Sequence, residues 1–224
     1  MSYKLAILIP CRDILHSAFA YDLARLSAYW AAQHVPKGGA LHLFTSQGTL
    51  ICDQRQNLIL EALQVNADYV LWLDSDHRFP KDLVDRLHAH GQDVVACNYS
   101  TRRMPCKPVA FGDMTCRSLV YTNADSTGLE EVYAIGMGAM LERTNVYRKL
   151  GLPFFSIGYS QAAQDFFGED VFHCHRLHDA GVKVHVDHDT SKLVKHIGTF
   201  EYSNEHAEAH KEIVAAEGKQ TEAA

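Results

Sequence analysis

Apolar runs alternate with amphipathic segments through the first hundred residues of the chain. The run over 5–10 is continuous and ends in proline, which is typical of a strand buried on both faces of a parallel sheet. Residues 13–35 then carry apolar side chains at helical spacing, and a Pro-Lys-Gly-Gly sequence ends that segment. The strand pattern returns over 41–45, and the helical pattern returns over 54–66.

The strongest strand signal is Tyr69–Leu73, five apolar residues that run directly into Asp74-Ser75-Asp76. A helix is predicted over 81–90, and another buried strand is predicted over 93–98. Strands and helices therefore alternate along this half of the chain. That order predicts an α/β fold with a mainly parallel central sheet flanked by helices.

The second half of the chain has a less regular pattern. Strands are predicted over 129–135 and 139–142, and a helix over 169–180 is ended by Gly181. The polar, alanine-rich segment 204–224 has no clear apolar stripe, so we expect a loosely docked helix or tail there. The pattern thus predicts one domain over residues 1–203, followed by this tail.

Composition and charge narrow the class of protein. The chain has 224 residues, of which 47% are hydrophobic and 21% charged, which suits one globular domain. No apolar run is long enough to cross a bilayer, and the N-terminus lacks the pattern of a signal peptide, so we expect a cytoplasmic protein. The six cysteines form no CxxC pair and are expected to be reduced thiols. The net charge of −6 disfavours a protein that holds nucleic acid mainly through its phosphates.

Two carboxylates, Asp74 and Asp76, directly follow the strongest strand. Open α/β sheets bind their ligands at the carboxyl ends of the strands. Two acids at such a place are costly unless a positive group lies between them, and Mg²⁺ or Mn²⁺ with phosphate oxygens would supply it. The alternative is a turn that only caps the following helix, but the long buried strand in front favours the metal.

The sequence Leu-Trp-Leu-Asp-Ser-Asp over 71–76 resembles the DxD strand end of GT-A glycosyltransferases, especially those of family 2. Further segments resemble the nucleotide-binding turn, the Arg-x-x-Asn helix start, the Gly-Glu-Asp helix opening and the late histidine of that family. These segments lie at 7–13, 54–57, 167–172 and 195–198. The resemblance implies a single GT-A domain with the Rossmann-like fold of nucleotide-diphospho-sugar transferases.

The resemblance also implies a metal site. Asp76 would bind the ion directly, and Asp74 would contact the ribose or reach the ion through water. His196 would supply a nitrogen ligand, which suits Mn²⁺ better than Mg²⁺. The alternative for His196 is a buried histidine that bonds to the backbone.

Nucleotide-sugar contacts follow from the same resemblance. They would fall on Pro10, Arg12, Asp13, Arg55, Asn57, Asp74, Ser75, Gly138 and Glu169. Asp13 could equally be only a helix N-cap, and Arg55 and Asn57 could lie on a solvated helix face. For Gly138 the alternative is a β-bulge, and for Glu169 it is a capping or structural contact in the first turn of its helix.

The resemblance assigns Asp170 the role of general base, which would take the proton from the acceptor hydroxyl in an inverting reaction. The implied enzyme moves a hexosyl or pentosyl group from a UDP- or GDP-sugar to that hydroxyl, with Mn²⁺ or Mg²⁺ as cofactor. The acceptor could be a glycan, a small metabolite or a hydroxylated DNA base, and the negative net charge disfavours the last.

Two other classes of protein remain open from the sequence alone. A metal-dependent nucleotidyltransferase or phosphohydrolase would share the sheet and the acid pair. However, no phosphate cradle follows the first strand, and Leu15 stands where a nucleophilic Asp13 would need a second aspartate. A non-catalytic nucleotide-sugar-binding module would not need a base such as Asp170.

Five histidines between positions 173 and 188 are a separate feature. A zinc site can be drawn from them, but neither CxxC nor HExxH spacing is present, so we expect no zinc there.

Overall fold

The computed structural model describes residues 2–102, 105–161 and 164–199. The tail predicted over 204–224 lies outside the described residues. The helices are α1 (Ser17–His34), α2 (Ile51–Gln64), α3 (Leu83–Ala89), α4 (Glu169–Asp179) and α5 (His188–Ser191). Short 3₁₀ segments cover Val35–Lys37 and Thr144–Arg148.

The described part of the chain also contains fourteen strands. They are β1 (Lys4–Cys11), β2 (Ala40–Gln47), β3 (Tyr69–Leu73), β4 (His77–Arg78), β5 (Val94–Ala96), β6 (Ala110–Phe111), β7 (Leu119–Val120), β8 (Leu129–Val132), β9 (Ala134–Ile135), β10 (Ala139–Arg143), β11 (Gly158–Ser160), β12 (Asp165–Phe167), β13 (Val184–Asp187) and β14 (Lys195–His196). Seven of them form the central sheet in the order β2-β1-β3-β10-β5-β13-β8.

The central sheet is mainly parallel, as predicted. Strands β2, β1, β3, β5 and β13 run in one direction, while β10 and β8 run against them. The alternation of elements did not predict that β10 would lie between β3 and β5. Its first three residues are apolar and its first four are buried, as in its parallel neighbours, so the pattern carries no sign of its direction.

Helices cover both faces of this sheet and explain the continuous apolar strands. Along β1, Ala6 and Leu8 pack with residues of α2 and α4, whereas Leu5, Ile7 and Ile9 pack with residues of α1 and α3. Alternate side chains are therefore buried on opposite faces. Every helix among the described residues is too short or too polar to span a lipid bilayer.

Several boundaries differ from the sequence predictions. Helix α1 begins at Ser17, because residues 12–16 form an exposed connection, and α2 begins at Ile51. The aromatic segment before α4 contains the hairpin of β11 and β12. The β4–β14 pair was not predicted, since strands of two residues show no periodicity.

A buried polar network lies beneath the end of β3. Glu142 of β10 accepts hydrogen bonds from Trp72 Nε1 at 2.8 Å and from the hydroxyl of Tyr147. Its other oxygen lies 2.8 Å from Nε2 of His173, whose Nδ1 faces the carbonyl of Phe154 at 3.3 Å. Both ring nitrogens of His173 thus face oxygen acceptors. Burial alone would raise the pKa of Glu142, but the charge of His173 and the three hydrogen bonds lower it below its usual value.

Replacing Glu142 by glutamine should destabilise the fold strongly. The substitution removes the buried carboxylate that bonds Trp72, Tyr147 and His173, and breaking such a buried pair costs about 3 kcal/mol or more. Urea unfolding followed by tryptophan fluorescence measures the loss. The matched control is Glu131→Gln, which removes an exposed carboxylate paired with Lys183 and should leave the unfolding midpoint unchanged. Equal effects of the two substitutions would contradict a structural role for the network.

Candidate metal and nucleotide-sugar site

The acidic tripeptide Asp74-Ser75-Asp76 emerges at the carboxyl end of β3 and is anchored there by the backbone. The amide of Asp74 donates to the carbonyl of Gly138 at 3.1 Å, and the amide of His77 donates to the carbonyl of Asp74 at 3.2 Å. The turn is therefore fixed both to the residue that precedes β10 and within itself.

Three side chains gather on one side of this turn. The ligand atoms of Asp76, His77 and His196 all lie within 4.8 Å of one another. Pairing of β4 with β14 sets His196 opposite His77, and their rings stack with centroids 4.4 Å apart. Oδ1 of Asp76 lies 3.1 Å from Nδ1 of His77 and 3.4 Å from Nε2 of His196.

The hydrogen bonds of His196 favour a metal-binding tautomer. Its Nδ1 lies 2.9 Å from the carbonyl oxygen of Ser100, so this nitrogen carries the proton and donates it. Nε2 is the ring nitrogen that faces the carboxylate of Asp76, and it would be the ligand atom toward a bound ion. Metal-binding histidines are commonly oriented by such a bond from the other ring nitrogen to a backbone carbonyl.

The donor set fits a divalent transition ion. One carboxylate and imidazole nitrogens are ligands that Mn²⁺ accepts, whereas Mg²⁺ prefers oxygen alone. Nε2 of His77 is buried and has no hydrogen-bond partner among the described residues. Arg102 pairs with Oδ2 of Asp76 at 2.7 Å, and its side chain is half exposed, so it can move aside.

The pKa of Asp76 reflects this surrounding. Burial alone would raise the pKa, but the hydrogen bonds with His196 and His77 hold it well below its usual range. Asp76 is therefore a carboxylate at any physiological pH, as a metal ligand must be.

A second group of charges lies on the other side of the turn, around Arg55 of α2. The guanidinium is only 2% exposed and bonds Asp74 at 2.8 Å and Glu169 at 3.0 Å. It also lies over the ring of Trp72, 5.4 Å from the centroid. Burial alone would lower the pKa of Arg55, but the two carboxylates outweigh burial and raise it. Arg55 thus lies on no solvated helix face and joins α2, β3 and α4.

Asp170 stands beside Glu169 in the first turn of α4. The amide of Val171 donates to its Oδ1 at 2.7 Å. Burial, and then the charge of Glu169, raise the pKa of Asp170 to about 6. A carboxylate with a pKa near neutrality is a stronger base than an exposed aspartate and still ionised at pH 7.

Gly138 brings the backbone close to this centre. A Cβ atom at Gly138 would lie 2.5 Å from Cε1 of His77 and 2.7 Å from the hydroxyl of Tyr99, so no side chain fits there. The same hydroxyl accepts the amide of Gly138 at 3.0 Å. The glycine therefore allows the backbone to pack closely against His77 and Tyr99, and its contact with a nucleotide sugar stays a prediction.

The remaining predicted contacts lie around the carboxyl end of β1 and on α2. Pro10 is buried in β1, Arg12 and Asp13 are exposed in the connection that follows it, Asn57 is exposed on α2, and Ser75 is half-buried. Asp13 lies four residues before α1, whose N-cap is His16, so it does not cap that helix. These residues stay predictions as ligand contacts.

Sequence reasoning missed three members of the site: His77, Tyr99 and Arg102. His77 directly follows the DxD turn, and this adjacency was the available signal. Tyr99 and Arg102 follow β5, whose carboxyl end lies two strands from that of β3. The ends of parallel strands share one edge of a sheet, which could have identified them.

The histidines between positions 173 and 188 have separate surroundings. His173 lies in the buried network, His178 bonds the carbonyl of Tyr133, His185 faces the carbonyl of Val94, and His188 bonds Glu130. These four rings are bonded within the protein, whereas Nε2 of His175 is buried and has no hydrogen-bond partner among the described residues.

Comparison with known proteins identifies the fold. No protein-family model and no curated protein sequence matches the chain. Among solved structures, A197 from STIV superposes with a TM-score of 0.53 and 13% identity, over 89% of this chain and 98% of its own. A Drosophila β-1,4-galactosyltransferase 7 variant, in complex with manganese, UDP-Gal and xylobiose, superposes with a TM-score of 0.50 and 17% identity, over 88% and 71%. The chain has the GT-A fold.

The GT-A fold brings most of the polar side chains that the sequence indicated close together at the carboxyl ends of the central strands. Asp74 and Glu169 meet at Arg55, while Asp76 meets His196 together with His77. The two aspartates of the DxD turn thus have different partners. Only Asp76 belongs to the cluster with metal-ligand spacing.

Mn²⁺ binding should depend on His196. The substitution His196→Ala should weaken Mn²⁺ binding by more than about tenfold, because loss of even an outer partner of a metal site costs about 10–100-fold. Electron paramagnetic resonance of free Mn²⁺ in a titration measures the affinity. The control is His178→Ala, which removes a histidine whose ring bonds a backbone carbonyl elsewhere. Unchanged Mn²⁺ affinity in His196→Ala would show that the cluster holds no ion.

Proposed function

We propose that this protein is a metal-dependent glycosyltransferase that moves a sugar from a nucleoside-diphosphate sugar to an acceptor hydroxyl. The observation that carries the proposal is the convergence of the Asp76–His77–His196 cluster and Asp170 at the carboxyl ends of a GT-A sheet. The galactosyltransferase with a similar fold was crystallised with manganese and UDP-Gal, which supports a UDP- or GDP-sugar as donor and Mn²⁺ as cofactor.

Each residue near the turn has a role in this proposal. Asp76 and His196 would hold the cation, with His77 beside them, and a bound ion would neutralise charge on the departing nucleoside diphosphate. Asp74, held by Arg55, faces the ribose side of the donor. Arg102, the half-exposed partner of Asp76, would be available to pair with a phosphate oxygen of the donor.

Asp170 is the general base of the proposed reaction. It takes the proton from the acceptor hydroxyl while that oxygen forms a bond to the anomeric carbon. The bond between this carbon and the diphosphate oxygen breaks, and its electron pair leaves with the nucleoside diphosphate. Attack opposite the leaving group inverts the configuration of the anomeric carbon.

A screen of nucleotide sugars tests the donor and the metal. The purified protein, mixed with Mn²⁺ and single UDP- or GDP-sugars, should be stabilised against heat by its own donor, because a ligand that binds only the folded state raises its stability. The same donor should be slowly hydrolysed or transferred, and Asp76→Ala should abolish this turnover. Full turnover of the donor by the Asp76→Ala variant would contradict the proposed metal dependence.

Transfer should depend on pH through Asp170. Because the pKa of Asp170 is raised to about 6, the basic form is lost as the pH falls through this value. The rate at saturating donor should therefore rise from pH 5 to pH 7 with the slope of a single proton. Asp170→Asn should keep donor affinity and lower the rate by about 10²–10⁴-fold, the usual contribution of a general base.

The control for Asp170→Asn is Asp179→Asn, which removes an exposed carboxylate at the other end of the same helix. It should leave both the rate and its pH dependence unchanged. A normal rate in Asp170→Asn, or an unaltered pH profile, would remove Asp170 as the base.

A further inference from the structure

A cavity of about 610 Å³ opens next to the metal cluster, with His196 in its wall. Its other walls come from the segment that follows β5, from the residues after β7, and from α5 through to the end of the described chain. This volume suits a ligand of the size of one or two sugar rings.

The charge of this cavity is opposite to that of the whole chain. The chain has 27 acidic residues against 21 lysines and arginines. None of the described residues that line the cavity is acidic, whereas four carry a permanent positive charge. These four are Arg102, Lys107, Lys192 and Lys195. A cavity lined in this way favours an anionic ligand.

Two of the four cations have no partner of their own. Arg102 pairs with Asp76, and Lys192 bonds the carbonyl of Ala124 at 3.0 Å and lies 3.8 Å from Asp189. No ion pair or hydrogen bond of the side chain of Lys107 or Lys195 is found within the described ranges. Their ammonium groups are therefore free to bind an incoming oxyanion.

The wall that carries Lys107 is held in place by the fold. The amide of Thr101 donates to the carbonyl of Lys107 at 2.8 Å, and the amide of Lys107 donates to the hydroxyl of Thr101 at 3.0 Å. His196 fixes the same segment through its bond to Ser100, and His196 directly follows Lys195. The two unpaired lysines are thus tied to the metal cluster through one short chain of contacts.

An aromatic side chain adds a surface for a sugar ring. Tyr121 lines the cavity and is 61% exposed, so the face of its ring is accessible to a ligand there. An exposed aromatic face next to lysines can pack against the apolar face of a sugar while the cations bind its charged substituent. The combination indicates an acidic sugar rather than an isolated inorganic ion.

We propose that this cavity binds the acceptor, and that the acceptor is a sugar bearing an oxyanion, a phosphate or a carboxylate, whose charge is met by Lys107 and Lys195. This inference rests on the proposed glycosyltransferase function. The donor diphosphate is the other anion at the site, but a bound divalent ion and Arg102 already balance its charge. The unpaired lysines therefore remain for a second, different anion.

Nuclear magnetic resonance titration of the ¹⁵N-labelled full chain tests the proposal. The probes are glucose 6-phosphate, glucuronate and glucose, each added without and with saturating UDP or GDP plus Mg²⁺. We expect saturable shifts of the amides of Lys107 and Gly198 with at least one of the acidic sugars. Glucose should bind at least about tenfold more weakly than the acidic sugar, because it lacks a hydrogen bond between charged groups, which contributes about this factor to the affinity. The two acidic probes distinguish phosphate from carboxylate.

Paired lysine variants supply the control. Replacing both Lys107 and Lys195 by glutamine should weaken binding of the acidic sugar by about tenfold or more. Replacing both Lys37 and Lys149 by glutamine removes the same charge at exposed positions that precede β2 and follow β10, toward the opposite end of the sheet. This second variant should bind like the unaltered protein.

Three results would overturn the inference. The first is equal binding of glucose and the acidic sugars. The second is displacement of the acidic sugar by UDP or GDP with Mg²⁺. The third is a shift of the same amides by a DNA oligonucleotide at a lower concentration than either acidic sugar needs. Displacement would make the cavity part of the donor's diphosphate site. Failure of the proposed function looks different, because the acidic sugar would then bind while neither nucleotide does.

Discussion

One buried cation holds the acidic end of the sheet together. Asp74, Glu169 and Asp170 converge there from β3 and α4, and carboxylates at such spacing oppose each other's ionisation. Arg55 enters from α2, bonds two of the three, and rests on the ring of Trp72. The relative positions of α2, β3 and α4 therefore depend on this guanidinium. Arg55 does not bond Asp170, and burial together with the charge of Glu169 raises the pKa of that carboxyl.

The contacts of Arg55 connect to the buried polar network in the core. Trp72 lies beneath Arg55 and donates to Glu142, and Glu142 pairs with His173 on the next turn of α4 after Asp170. Helix α4 is thus fixed at two levels, by Glu169 at its first residue and by His173 one turn later. Buried polar contacts of this kind are costly unless every group has a partner, and here they orient the candidate base.

The sequence predicted both ends of β3, because five apolar residues lie between two aspartates and the run is too short for a helix. It also indicated the polar residues that follow the strand. The sequence pattern could not predict contacts between distant positions, such as that of Arg55 with Glu169, 114 positions away. The two-residue strands that bring His196 to His77 also leave no periodic signal. The reversed direction of β10 was hidden for a related reason, since burial on both faces makes parallel and antiparallel strands look alike.

The two aspartates of the turn differ in what an incoming ion would have to displace. At Asp74 the ion would compete with a buried guanidinium that also holds Glu169, and removing one partner of such a buried pair is strongly unfavourable. At Asp76 it would compete only with Arg102, a half-exposed side chain whose surface pairing contributes little. The imidazole of His196 already faces Asp76 there, oriented by the carbonyl of Ser100. Under the proposed function, the ion therefore binds at Asp76, and Asp74 keeps its place beside the donor because Arg55 never releases it.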